Sequence, residues 1–259
     1  ICKYFWTDGT QLSTHADAQE TASEMAKVLG EEEANVAEFL KGLQDKYEII
    51  SELFLENSLQ DLSTWTSKKA MRGYLNIPNL GLFSTMHAYH ARRFKHPKTV
   101  QLFDRYATYN GSNPYQTPAT LSVIPNLEYN IGAFMPVGGM ISITNSLCRL
   151  AKELGVEFRM NEKVEEIVTE GQRAVGIKTA KGIFAFDHVA SNMDIRPSYK
   201  NLLPQIQAPK KLLNQERSSS GIIFYWGVNR KFDAVGVHNI FFSDHYQEEF
   251  KHIFEEKTL

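Results

Sequence analysis

Residues 106–148 read YATYNGSNPYQTPATLSVIPNLEYNIGAFMPVGGMISITNSLC, and Glu128 is the only charged residue among them. Prolines at 114, 118, 125 and 136 would interrupt any long helix, so the run does not predict a membrane span. The run is also rich in aromatic and β-branched residues, which argues against disorder. An uncharged run of this kind, divided by Pro and Gly, is typical of a chain that lines an apolar cavity and then enters a packed helix.

The secondary-structure pattern changes at this run, close to Pro136. Before it, apolar residues recur mainly at helical spacing, and the predicted helices cover residues 17–29, 31–57, 67–74, 85–94 and 98–107. After it, a helix that ends at Gly155 precedes predicted strands at residues 156–159, 163–169, 174–179, 183–186 and 188–191. Further predicted elements are strands at residues 1–6, 221–228 and 238–243 and a helix at 246–256. The sequence therefore predicts a mixed α/β protein.

Composition and charge narrow the class of protein. The chain has 259 residues, 42% hydrophobic and 22% charged, which is typical of a globular protein with one large or two medium domains. A formal net charge of −2 and the lack of a long basic run argue against nucleic-acid binding. Cys2 and Cys148 are far apart and form neither a disulfide framework nor a zinc spacing, so a reducing, cytoplasmic compartment is predicted. The chain starts at Ile1 within a predicted strand, which indicates an internal fragment of a longer protein.

Three histidines, His87, His90 and His96, lie close together in the sequence and could ligate a metal ion. The surrounding helix is basic, and no neighbouring cysteine or carboxylate completes a ligand set. Ordinary surface or packing histidines are therefore favoured over a metal site.

Asp104 and Arg105 come directly before the uncharged run and are the candidate catalytic residues. At the mouth of an apolar cavity, a carboxylate could accept a proton and an arginine could orient a polar group. The alternative is an ion pair in solvent. Both interpretations remain open.

Aromatic residues of the run are candidates for contact with an elongated apolar ligand. Tyr109, Tyr115 and Phe134, together with Asn110, are the predicted substrate-binding residues. Aromatic side chains in such a run are either plain core or the wall of a ligand cavity, and the scarcity of charge keeps the second interpretation open.

Several stretches, taken in order, resemble one known family. They are residues 105–115 (RYATYNGSNPY), 118–121 (PATL), 132–140 (GAFMPVGGM), 150–155 (LAKELG), 161–167 (NEKVEEI), 174–176 (AVG), 189–194 (VASNMD), 218–227 (SSSGIIFYWG) and 238–244 (HNIFFSD). In residues 189–194, Met193 replaces the alanine of the family's V-V-S-N-A-D segment. Together these stretches resemble the carotenoid desaturases of the phytoene desaturase, or phytoene dehydrogenase, type.

This resemblance implies a glutathione-reductase-type FAD-binding fold with a separate helical and mixed-sheet substrate domain. It assigns residues 1–135 and 201–259 to the substrate domain and residues 136–200 to a slice of the FAD-binding domain. Within that slice, Val164 matches a residue whose backbone contacts the adenine, and Ser191 and Asn192 match a loop near the cofactor. The implied reaction is FAD-dependent desaturation of a C–C bond in a polyene, in which a hydride leaves one carbon and a proton leaves its neighbour.

The chain also departs from the family pattern. It contains no Gly-x-Gly-x-x-Gly, the motif that holds the FAD pyrophosphate in the family, so the chain by itself is expected to retain no FAD. The implied substrate is phytoene or a hydroxylated carotenoid. The sequence of residues 106–148 is more similar to family members that act on hydroxylated carotenoids. The resemblance also implies a protein peripheral to the membrane surface, from which it takes up substrate. Alternatives are a carotenoid isomerase or ketolase on the same fold, or a non-catalytic module that binds apolar ligands.

Overall fold

The structure is a computed structural model that describes residues 2–58, 60–215, 217 and 219–258. Ile1 and Ser218, which belong to stretches discussed above, lie outside the described residues. The chain divides into two compact units, the first formed by residues 1–134 and 218–259 and the second by residues 135–217. The second unit contains the predicted 136–200 slice and continues to residue 217. The assignment of the units to substrate and FAD binding stays a prediction.

The regular elements are short, apart from three long helices. The strands are β1 (Cys2–Phe5), β2 (Gln11–Thr14), β3 (Val164–Glu170), β4 (Arg173–Thr179), β5 (Gly182–Ala185) and β6 (Asn239–Phe241). The α-helices are α1 (Ala18–Leu29), α2 (Glu33–Ile50), α3 (Leu62–Thr66), α4 (Lys68–Leu75), α5 (Met86–Arg93), α6 (Pro97–Asp104), α7 (Ile141–Glu153), α8 (Ile195–Pro197), α9 (Lys210–Leu213) and α10 (Tyr246–Lys251). Short 3₁₀-helices cover Ile77–Leu80, Arg105–Asn110 and Ala119–Val123, and π-helical turns cover Ser51–Leu55, Leu127–Ile131, Ser198–Leu202 and His252–Glu256.

A small mixed sheet joins distant parts of the first unit. β1 pairs antiparallel with β2 and parallel with β6, so that Lys3 lies opposite both Ser13 and Asn239. Side chains alternate along β1, and the buried face carries Cys2 and Tyr4. The sheet therefore delivers Tyr4, which has no exposed surface, into the interior of the unit.

Helix α1 packs on β2 of this sheet and α2 packs on α1, because the apolar residues of both helices recur at helical spacing. Asp17 caps α1 by accepting the N–H groups of Gln19 and Glu20, and Gly30 ends the helix in the left-handed conformation with a φ of 69°. The apolar face of α2 is buried at Val36, Phe39, Leu40 and Leu43. Burial of each such side chain contributes roughly 1.5–3 kcal/mol to folding.

The second unit contains an antiparallel meander of β3, β4 and β5 and the helix α7. The tight connection places Glu170 opposite Arg173, and the β4–β5 pairing ends at Thr179 opposite Gly182. None of the residues of α7 is buried, although Ile143, Leu147 and Leu150 follow helical spacing. The periodicity predicted the helix, but its apolar face is not covered within this unit.

Three predicted strands are wrong. Residues 156–159, 188–191 and 221–228 are not strands, and the side chains of Ile222 and Tyr225 are 76% and 94% exposed. A strand needs a hydrogen-bonded neighbour, which an apolar, β-branched run indicates but does not supply. The predicted helix at 31–57 also ends earlier, since α2 stops at Ile50 and a π-helical turn follows. Across the described residues, no helix has both the length and the apolar character needed to cross a bilayer.

Candidate functional site

Two short helices position the candidate site in the first unit. Thr85 caps α5 by accepting the N–H of Ala88, and His96 caps α6 through its Nδ1, which accepts the N–H of Lys98. Pro97 occupies the first turn of α6, where a missing N–H has no cost. His96, one of the three clustered histidines, is therefore the N-cap residue of α6.

Asp104 and Arg105 lie at the junction between α6 and the following 3₁₀ turn. They are 1% and 4% exposed, so the alternative of an ion pair in solvent is wrong. The amphipathic pattern of α6 carries its last residue into the interior together with Leu102 and Phe103. Both charges therefore need partners inside the protein.

The carboxylate of Asp104 is bridged by two histidines of α5. Nδ1 of His87 donates to Oδ2 at 2.7 Å, and Nδ1 of His90 donates to Oδ1 at 2.7 Å. The two imidazoles reach one carboxylate because residues three apart share a helix face. Both carboxylate oxygens are engaged, so Asp104 holds the histidines in place, and its catalytic role stays a prediction.

The two histidines differ in their surroundings. The His87 side chain is 38% exposed, and its hydrogen bond to Asp104 raises its pKa above the ordinary value. His90 has no exposed surface, and burial lowers its pKa despite the same carboxylate. The proton-accepting member of the group is therefore His87, while His90 favours the neutral form.

Arg105 belongs to a separate network. Its Nη2 donates to the Tyr4 hydroxyl at 2.6 Å and to Oε2 of Glu128 at 3.3 Å, and its Nη1 donates to the Tyr109 hydroxyl at 3.2 Å. The guanidinium also lies over the Tyr106 ring, with Cζ 4.1 Å from the ring centroid. The guanidinium therefore has hydrogen-bond acceptors inside the protein, and the members of this network bond to one another.

Glu128 is the residue of this network that the sequence reasoning missed as a site member. It accepts the Tyr106 hydroxyl at 2.6 Å and the Tyr109 hydroxyl at 2.8 Å. Its position as the only charge in residues 106–148 was the available signal, because a lone carboxylate in an apolar run requires a buried partner.

A cleft of about 540 Å³ opens beside His87 and Asp104. Its apolar wall includes Trp6, Phe94, Tyr115 and Tyr246, and its polar lining includes Lys95, Lys98, Gln101 and Asp244. The Tyr115 ring packs against the His87 ring with centroids 4.6 Å apart. Burial raises the pKa of Tyr115 to about 12 and raises that of Tyr246 as well, so both hydroxyls are neutral at physiological pH. The volume is in the range of small-molecule sites.

The predicted substrate-binding residues are not gathered in one place. Tyr115 lines the cleft, whereas Tyr109 is 53% exposed and its hydroxyl belongs to the Arg105 network. Asn110 is exposed at the end of the 3₁₀ turn, and Phe134 is 86% exposed. Their contact with substrate stays a prediction.

Among the described residues, no group of three or more histidine, cysteine or carboxylate side chains could hold a metal ion. His87 and His90 do not form a metal site because the Nδ1 atoms of both are hydrogen-bonded to the Asp104 carboxylate.

The predicted cofactor residues lie in the second unit. Val164 begins β3, opposite Thr179. The Ser191 oxygen accepts the N–H of Met193 at 3.3 Å, whereas Asn192 is exposed and makes no side-chain hydrogen bond among the described residues. The contact of Val164, Ser191 and Asn192 with a cofactor stays a prediction.

The chain belongs to the flavin-containing amine oxidoreductase family, whose model matches residues 1–243. It is similar to the 1-hydroxycarotenoid 3,4-desaturase of Flavobacterium sp. (strain P99-3), with 44% identity over 258 residues that cover 100% of this chain and 53% of the relative. It is 30% identical to the 4,4'-diapolycopene oxygenase of Methylomonas sp over 98% of this chain and 51% of that relative. It is 29% identical to a phytoene desaturase of Cercospora nicotianae over 98% of this chain and 41% of that relative. The chain thus spans about half the length of these curated relatives.

Proposed function

We propose that the full-length protein is an FAD-dependent carotenoid desaturase whose substrate is a hydroxylated carotenoid or phytoene. The single observation that carries this proposal is the 44% identity to a 1-hydroxycarotenoid 3,4-desaturase along 100% of the chain. Membership of a flavin family supplies the class of cofactor. Bound FAD would supply the oxidising capacity for removing hydrogen from a C–C bond.

Each unit has a part in this proposal. In the second unit, a glutathione-reductase-type arrangement would use the backbone of Val164 and the amide of Asn192 toward the cofactor, and the β3–β5 meander supports that arrangement. In the first unit, the aromatic cleft beside His87 would hold part of the polyene and exclude water from it. One end of the carotenoid would lie in this cleft.

The test is a product analysis with the full-length protein. The purified protein, supplied with FAD and detergent-dispersed carotenoid, should convert a hydroxylated carotenoid to a product that absorbs at longer wavelength, because conjugation is extended. Mass spectrometry should show the loss of two hydrogen atoms. Absence of such a product from both phytoene and the hydroxylated carotenoid would contradict the proposal.

An oxygenase, which would give a ketolase-type product, is the second candidate, since the chain is also 30% identical to a 4,4'-diapolycopene oxygenase. The same product analysis separates the candidates. An oxygenase product gains oxygen, an isomerase product keeps the mass of its substrate, and a non-catalytic binding module gives no product.

We also propose peripheral attachment to a membrane surface through residues 62–83. Apolar side chains are exposed there at Leu62 (80%), Leu75 (82%) and Phe83 (91%), close in sequence to the exposed cation Arg72. Exposed apolar groups next to cations suit an anionic lipid surface. Sedimentation with anionic vesicles should fall when Leu75 and Phe83 are replaced by Glu, and the control Val237→Glu, at an 86% exposed site elsewhere in the unit, should sediment like wild type. Equal sedimentation of both variants would contradict this surface.

Finally, we propose that residues 1–259 expressed alone hold FAD too weakly for purification. One or two neutral hydrogen bonds from Val164 and Asn192 contribute only about 1 kcal/mol each, whereas immobilising a ligand costs on the order of 4–15 kcal/mol. A flavin-fluorescence titration of this polypeptide should show no saturation at micromolar FAD. Saturation in that range would show that these contacts suffice.

A further inference from the structure

Three side chains that line the cleft carry a hydrogen-bonding group with no partner among the described residues. Nε2 of His87 and the hydroxyls of Tyr115 and Tyr246 make no hydrogen bond to any of the described residues, although all three side chains line the cleft. They stand on a wall that is otherwise largely aromatic, with Trp6 and Phe94 beside them. A ligand for such a wall has an apolar body and a polar group at one place.

Asp104 fixes which atom of His87 is free. Because Nδ1 is held by the carboxylate at 2.7 Å, Nε2 is the atom left to meet a ligand. Nε2 accepts a hydrogen bond when the imidazole is neutral and donates one when it is charged. A hydroxyl group both donates and accepts, so it can bond to His87 in either state.

The charges along the cleft favour a neutral ligand. Lys95 and Lys98 are balanced by Asp104 and Asp244, and Lys98 is itself bonded to Asp8. The neutral tyrosine hydroxyls do not demand an anion either. The lining therefore matches an alcohol better than a carboxylate or a phosphate.

We propose that this cleft binds the hydroxylated end of a polyene, with His87 as the residue that recognises the hydroxyl group. The inference rests on the proposed carotenoid desaturation and adds the substrate feature that the first unit selects. Tyr115 and Tyr246 contribute a second hydrogen bond and the apolar contact surface, and Asp104 positions the His87 ring.

The test compares two polyenes of equal length, with and without the terminal hydroxyl, in the full-length protein carrying FAD. His87→Asn keeps an amide near the Nδ1 position for Asp104 but removes Nε2, the ring nitrogen that Asp104 leaves free. This variant should lower kcat/KM for the hydroxylated polyene about ten- to hundredfold, mainly through KM, and leave the unhydroxylated polyene within about twofold of wild type. His87→Gln, whose amide reaches the Nε2 position, should recover part of the preference.

A second variant covers the case in which His87→Asn does not fold. Tyr115→Phe keeps the ring contacts with His87 and Phe250 and removes only the hydroxyl. It should lower the preference for the hydroxylated polyene about two- to tenfold. The matched controls are His15→Asn, a partly exposed histidine bonded to Glu20, and Tyr225→Phe, an exposed tyrosine outside the cleft, and both should behave as wild type.

Equilibrium dialysis of the two polyenes against the same variants gives a readout that does not depend on turnover. An unchanged preference in His87→Asn and Tyr115→Phe, or an equal loss for both polyenes, would overturn the inference while leaving desaturation intact. If wild-type protein converts neither polyene and binds neither in dialysis, the proposed function fails and this inference fails with it.

Discussion

The carboxylate of Asp104 bonds to two histidines beside an open cleft, whereas the guanidinium of Arg105, one residue later, is enclosed by tyrosines and Glu128. The first network leaves Nε2 of His87 without a partner among the described residues, and the second uses its donors internally. Adjacent charged residues can thus serve different purposes. We call the Arg105 group, with Tyr4, Tyr106, Tyr109 and Glu128, the closed network, and the Asp104 group, with His87 and His90, the open network. The closed network is expected to matter mostly for stability, and the open network for both stability and ligand binding.

The largest effect is expected from opening the closed network. Arg105→Met leaves the Glu128 carboxylate, 15% exposed, without its cation and should lower the free energy of unfolding by about 3–5 kcal/mol. Urea denaturation of the full-length protein measures this loss. The control Arg149→Met breaks an ion pair to Glu153 between side chains that are 76% and 65% exposed, and should cost about 0–1 kcal/mol. Similar losses in the two variants would mean that the Arg105 network is not a distinct stabilising unit.

A smaller loss is expected from the open network. Asp104→Asn keeps the size of the side chain but replaces two bonds to a charged carboxylate, and should cost about 1.5–3 kcal/mol. The same urea experiment measures it. A cost above that of Arg105→Met would reverse the comparison between the two networks.

The pH dependence of stability separates the two histidines on Asp104. Because the pKa of His87 is raised by its hydrogen bond to Asp104, its contribution is complete below the ordinary value of about 6.5 and is lost as pH rises through the raised value. Because burial lowers the pKa of His90, its contribution is present above that ordinary value and is lost as pH falls through the lowered one.

Thermal unfolding at about pH 5.5 and about pH 8 tests these signs. The Tm difference between wild type and His87→Asn should be larger at the lower pH, and that between wild type and His90→Gln larger at the higher pH. Parallel differences for the two variants would show that the imidazoles titrate alike.

The smallest effect is expected at the exposed edge of the closed network. Tyr109→Phe removes the hydrogen bond to Glu128 and the weaker one from Nη1 of Arg105, at a side chain that is 53% exposed, and should cost about 0.5–1.5 kcal/mol. Carotenoid turnover by this variant also sharpens the comparison. Turnover close to wild type would place Tyr109 in the closed network alone, while a large loss would support its predicted contact with substrate.

Local signals in the sequence were sufficient for many elements. Helical spacing and Gly30 fixed the extent of α1, and the turn at Gly171 with alternating residues on each side predicted β3 and β4 to within a residue or two. The predicted strand at 221–228 is wrong because β-branched and aromatic residues favour extended structure but do not supply a neighbouring strand to pair with. For the candidate site, Asp104 and Tyr115 line the cleft and their predicted roles stay predictions, while the bonding of Asp104 to His87 and His90 was not foreseen.

What the sequence by itself determined is the family, since the ordered motifs and the apolar run are properties of the order of residues along the chain. The position of the lone charge Glu128 in that run was also visible. Only the tertiary structure decided which charge meets which partner. Asp104 and Arg105 occupy successive positions on a helical path, and successive side chains on such a path point in different directions. One is therefore carried toward α5 and the cleft, and the other toward Tyr4 and Glu128. Those partners are distant in sequence, so no local pattern could specify the pairing.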